Sequence, residues 1–265
     1  MPAARGLIRA ALILALAQAR TGSAADPLPL PEQRIQELGR SAHANLACTG
    51  CHPRGLDQVP RPRMEPVDCG ACHEPEAAVY RESIHGVEAG KGNPDVPTCA
   101  SCHGSHAIAP VSAAESRVSL KNLPQTCSTC HESMAFSKKY GLPSRRYSTY
   151  RSSFHGEANR FGQTTVANCA SCHGAHNIFP RSDRRSTIAP ANLVKTCGQC
   201  HPRATDNFAR GKVHVEATPQ NSMGVFVVRT FYYWFIGILV GLFVLHITFD
   251  LFGRARRRLR PEVKP

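Results

Sequence analysis

The chain has 265 residues, a length that allows one or two domains, and only 7% of them are aromatic. Its formal charge of +13 is concentrated at the ends: Arg5, Arg9 and Arg20 lie in the first 25 residues, and the last thirteen residues carry six basic groups and one acid. The remaining +5 does not argue for a nucleic-acid partner.

The opening residues 1–25 combine basic Arg5 and Arg9, an apolar run from Ala10 to Ala17, and small residues before Asp26. This pattern predicts a secretory signal peptide, cut after Ala25 or, as the second choice, after Ala19. A retained amino-terminal anchor fits less well, because the apolar run is short and Arg9 adjoins it.

All twelve cysteines fall in CxxCH pentapeptides: Cys48, Cys51 and His52; Cys69, Cys72 and His73; Cys99, Cys102 and His103; Cys127, Cys130 and His131; Cys169, Cys172 and His173; Cys197, Cys200 and His201. Two thiols at this spacing can add to the two vinyl groups of one haem, and the next imidazole then reaches the iron. Zinc or iron–sulfur sites would also use CxxC pairs, but they require no histidine after the second cysteine. With about one histidine in twenty residues, six coincidences have a chance on the order of 10⁻⁸. A disulfide framework fails too, because a CxxC pair closes too short a loop to staple a domain. The motifs therefore predict six covalently bound haem c groups. Each adds two propionates, which bring the exterior charge to roughly −1 when oxidised and −7 when reduced.

The segment 83–131 matches 153–201 at an offset of seventy without gaps. Each copy reads a leading histidine (His85 or His155), then CASCHGxH ending on His106 or His176, then a second CxxCH. A degenerate first copy begins at His43, places its two CxxCH motifs only 21 residues apart, and has no histidine at the third position after His52. Beyond the last motif, GKVHVEA around His214 is similar to SIHGVEA around His85, as if the unit started again and stopped. Twenty prolines and twenty glycines interrupt most windows. The expected fold is mostly α with dense loops, organised by haem and without evident strands. Short helices are predicted over Pro31–Leu46, Glu74–Tyr80, Glu132–Tyr140 and Thr205–Lys212.

Besides the six motif histidines, the exterior part holds six others: His43, His85, His106, His155, His176 and His214. If each serves as the distal ligand of one iron, every haem is six-coordinate, an arrangement for electron transfer rather than bond-making chemistry. The exterior methionines Met64, Met134 and Met223 are too few to supply that set. His103 and His106 stand one helical turn apart, which would point them to the same side. Axial ligands of one iron approach from opposite faces, so His106, and likewise His176, are expected to reach a neighbouring haem.

Residues 230–249, TFYYWFIGILVGLFVLHITF, carry no formal charge and are long enough to cross about 30 Å of hydrocarbon as a helix. The expected division is a periplasmic haem domain over 26–220, a transmembrane helix over 225–252, and a cytoplasmic basic tail over 253–265, oriented by the positive-inside rule. Tyr232, Tyr233 and Trp234 would sit at the outer interface. Within the span, His246 is an ionisable group that could contact a quinone or a haem b shared with a partner; the plain alternative is a packing or snorkelling histidine. Gly237 and Gly241 offer a close-packing face nearly opposite His246.

Over about Ser41 to Ala217 the chain resembles the multihaem c-type cytochromes with doubled CxxCH motifs. Its carboxy-terminal FYYWFIGILVGLFVLHITFDLF looks like the first span of membrane cytochrome b subunits that accompany such cytochromes in quinol-oxidising complexes. That resemblance implies a cytochrome anchored in the bacterial inner membrane, passing electrons between a cytochrome b or quinone-reactive subunit and periplasmic redox proteins or other exterior acceptors. The contrasting expectation is a terminal reductase of nitrite or of a sulfur or metal oxyanion, with one open iron in the first module.

Overall fold

The computed structural model describes residues 31–53 and 66–258. The expected signal peptide, Met64 and the last seven residues of the basic tail lie outside them. Among the described residues there is no strand; short helices of three to nine residues run from Pro31 to Ala209, and one long helix, Met223–Arg258, is the last described element.

Three predicted helices form with altered bounds: Pro31–Gly39 rather than to Leu46, Glu74–Glu82, and Asp206–Ala209 behind a Thr205 N-cap. The fourth begins late, at Met134, because the Ser133 hydroxyl accepts from the Phe136 amide and caps it there. The composition did not predict Leu123–His131, Arg146–Arg151 or the paired Ile84–Gly90 and Phe154–Arg160. Capping fixes them more than apolar periodicity does. Ser83 and Ser153 accept from the Gly86 and Gly156 amides, and the Glu132 carboxylate accepts from the Tyr147 and Ser148 amides across a turn.

Few large apolar side chains are buried among the described residues. The buried hydrophobic residues are Tyr150, Ala158, Ala189 and Ala209, whereas the most enclosed side chains are Ser83, Ser116 and Ser186. Among the described residues there is too little apolar core to offset the entropy of ordering them, so their interior must be supplied by something other than side chains.

The repeat holds in three dimensions and extends beyond the matched segment. Tyr80 donates to the Pro97 carbonyl at 2.6 Å, and Tyr150 to that of Ala167 at 3.1 Å. Asn122 and Asn192 each donate to two carbonyls of the preceding loop, those of Ala114 and Ser116 and of Arg184 and Ser186. Successive modules are joined by an equivalent backbone bond, from the Ala42 amide to the Ile108 carbonyl at 2.7 Å and from the Ile84 amide to that of Ile178 at 2.9 Å. The Asn159 and Asn168 side chains add bonds to the Leu120 carbonyl.

Gly86 and Gly156 follow the leading histidines, and a Cβ at either would land on the carbonyl oxygen of Tyr80 or Tyr150. Gly86→Ala and Gly156→Ala are therefore each expected to cost about 1–3 kcal/mol, read as a lowered thermal midpoint of the purified full-length protein. Gly90→Ala, which meets nothing, is the control and should be neutral or stabilising by about 0.5–1 kcal/mol.

Candidate functional site: six histidine pairs

The CxxCH motifs are built on single helical turns. Cys99–His103 and Cys169–His173 carry capping boxes from Thr98 and Asn168 to Ser101 and Ser171. Each turn ends on a glycine in a conformation open essentially to glycine alone, with φ 88° and ψ −179° at Gly104 and φ 80° and ψ 170° at Gly174. This corrects the expectation that His103 and His106 share a helix. The helix stops at His103, and the glycine turns the chain away so that the next histidine heads elsewhere.

Each motif histidine faces one of the six other histidines that precede the long helix. Ring centroids are separated by 6.2 Å for His52 and His106, 5.9 Å for His73 and His43, 6.1 Å for His103 and His176, 6.2 Å for His131 and His85, 6.4 Å for His173 and His214, and 6.1 Å for His201 and His155. Two metal–nitrogen bonds of about 2 Å, plus about 1.1 Å from each nitrogen to its ring centre, require about 6.2 Å between centroids. The spacing suits one iron between each pair, and the residues present fit six haem c groups.

The pairing has a rule. In every module the leading histidine faces the second motif, as His43 with His73, His85 with His131 and His155 with His201. The first motif of a module is faced from the next: His52 by His106 and His103 by His176. For His173 that place is taken by His214, nine residues before the long helix.

Burial lowers the imidazole pKa values, to about 4 for His85 and for His214, with a second push from His131 and from Arg146 respectively. His131, His155 and His173 are lowered by burial as well. The rings thus stay neutral, the form in which an imidazole can ligate. The outer nitrogens are treated unequally. His214 Nδ1 lies 3.0 Å from the buried Thr149 hydroxyl, whose own proton has an acceptor in the Arg145 carbonyl at 2.6 Å. Nδ1 of His43 is buried without a partner among the described residues, an orphan that fits an imidazole built to meet something other than protein.

All twelve cysteines are unpaired. Among the described residues no three His, Cys, Asp or Glu side chains converge on a bare metal ion, as a zinc ribbon demands. Thiols of successive motifs lie within mutual electrostatic reach: Cys51 and Cys99 both act on Cys69, Cys127 on Cys102, and Cys197 on Cys172, each raising a pKa already raised by burial. Cys127 and Cys169 hydrogen-bond, which lowers the first and raises the second. The six motifs therefore form a line in chain order.

Met223–Arg258 is long and apolar enough to cross a membrane by length and composition, with a mean hydropathy of 2.2 over its best window. It exceeds the predicted span at both ends. Arg229 reaches the Tyr233 hydroxyl at 3.0 Å, and Arg254 pairs with Asp250 at 2.8 Å. His246 is exposed on this helix, and the structure does not bring it to the histidine pairs.

Residues 41–132, which span the first four CxxCH motifs, match the profile of the cytochrome c3 family. No curated protein and no solved structure matches the chain. The matched family and the mostly helical fold agree: the chain carries a cytochrome c3-like multihaem domain with covalently bound haem c, whose chemistry is electron transfer.

Proposed function

We propose that this chain is a membrane-anchored hexahaem c-type cytochrome that carries electrons between a membrane quinol or cytochrome b partner and acceptors outside the inner membrane. One observation carries the reading: six motif histidines are each met by a different exterior histidine at the separation of two axial ligands. Haem c supplies reversible one-electron chemistry when bound. What the chain supplies is positioning. The leading histidines, with His106, His176 and His214, would hold each haem from the side opposite its motif histidine and so limit the access of small substrates. The line of neighbouring motifs keeps the redox centres in succession.

A terminal reductase would need a motif histidine with nothing opposite it. His52 and His73 of the first module both have a facing imidazole, which favours the electron-transfer reading. The long helix and its basic carboxy-terminal turn support a single span with the cytochrome domain outside, and the amino-terminal run supports export. A partner is required at the membrane, since one helix bearing His246 cannot enclose a quinone or a haem b.

His176→Ala tests the pairing in full-length protein purified in mild detergent. Low-temperature electron paramagnetic resonance should show one further iron turning high-spin, with unchanged covalent haem content, because all CxxCH residues remain. In the double variant His103→Met/His176→Ala the spectral change should stay confined to that same single haem; a second altered haem would refute the assignment of His176 to the His103 side. A periplasm-dependent reporter enzyme should be inactive when fused after Pro265 and active when inserted before Met223. The opposite pattern would invert the topology.

A further inference from the structure

Arg34 lies on the helix Pro31–Gly39, and its Nη1 stands 3.2 Å from Nδ1 of His106, the histidine opposite His52. A guanidinium has only donors, and it stays charged at any working pH. The ring nitrogen that Arg34 meets must therefore offer a lone pair, which leaves the single proton of a neutral imidazole on the other nitrogen. One nitrogen is then occupied by Arg34 and the other by a proton, and neither is left for iron. This holds whichever nitrogen faces His52. The arrangement at His214 is the converse. Its Nδ1 meets a hydroxyl whose own proton is already donated to Arg145, so that hydroxyl accepts, Nδ1 keeps the proton, and Nε2 is free to ligate.

The first and fifth motifs are thus faced by differently held imidazoles, and we propose that Arg34 holds His106 in reserve. The Arg34–His106 contact and ligation by His106 exclude each other, which makes the position opposite His52 the one exchangeable axial site, open to a small anion drawn by the adjacent guanidinium. Arg34 has a second place to go. The same Nη1 is 3.5 Å from Glu37 Oε2 one turn along, and the side chain is about one-third exposed, so it can turn to Glu37 and release the ring. Arg34 acts here as a positioning residue through His106. The inference rests on the hexahaem reading but concerns only its first motif.

The test uses full-length protein in detergent, with azide as the probe of ferric irons and electron paramagnetic resonance as the readout. About one haem in six should be high-spin or should bind azide in the wild type. Arg34→Leu removes the donor, and Arg34→Gln offers an amide oxygen that accepts from the ring; both should lower that fraction at least about tenfold. Arg34→Lys keeps a charged donor and should retain it. A wild type with six low-spin irons and no azide uptake overturns this inference while leaving the hexahaem reading intact. An azide-binding fraction unchanged in Arg34→Leu overturns it equally. Several high-spin irons, whatever stands at position 34, would overturn the proposed function as well.

Discussion

The rest of the fold answers to a separation of about 6 Å between two facing imidazoles, repeated six times. A polypeptide rarely holds imidazoles at that spacing without a purpose, since neutral rings gain little from facing each other across a gap. Here the spacing is kept in a chain whose most enclosed side chains are serines. With so little apolar surface to bury, the usual driving force for a compact domain is weak. Cofactors placed between the rings would supply both the missing interior and the cross-links, because each would join two segments 30 to 73 residues apart in the chain.

The pairing rule makes the array cooperative along its length. Every second motif is faced by a histidine of its own module, and the first motifs of the first two modules by a histidine of the module that follows. Backbone bonds from Ala42 to Ile108 and from Ile84 to Ile178 run across the same boundaries, so protein hydrogen bonds and axial ligation would tie the same neighbours together. The rule also accounts for the first module's difference. A histidine at the third position after a CxxCH faces the preceding module, and no CxxCH precedes Cys48 in this sequence. Farther along, His214 faces the fifth motif from the segment leading into the long helix.

Secondary structure was the least legible layer, for a physical reason. Helices of three to nine residues are too short to stand alone and show little apolar periodicity. They are held by local polar devices: the Ser83 and Ser153 caps, the Glu132 carboxylate over Tyr147 and Ser148, and the capping boxes at Thr98 and Asn168. Of these, the Ser-x-His-Gly pattern could have been read as an N-cap, with Gly86 and Gly156 marking a close backbone approach. Glu132 lies fifteen residues from its nearest partner and gives no local signal.

Haem attachment is a chain-local property, since both thiols and the proximal imidazole stand within five consecutive residues, and the number and order of the motifs could be read directly. The apolar run that becomes the long helix was equally plain, because twenty uncharged residues have few other fates. Which imidazole meets which is not local. Helical spacing alone put His103 and His106 on one face, yet Gly104 breaks the helix between them in a conformation that only the folded loop reveals. The hydrogen-bond partners of the His106 and His214 rings likewise come from far along the chain, Arg34 at 72 residues and Thr149 at 65. A hydrogen bond acts only over the last few ångströms, and only the tertiary fold brings such distant residues within that range.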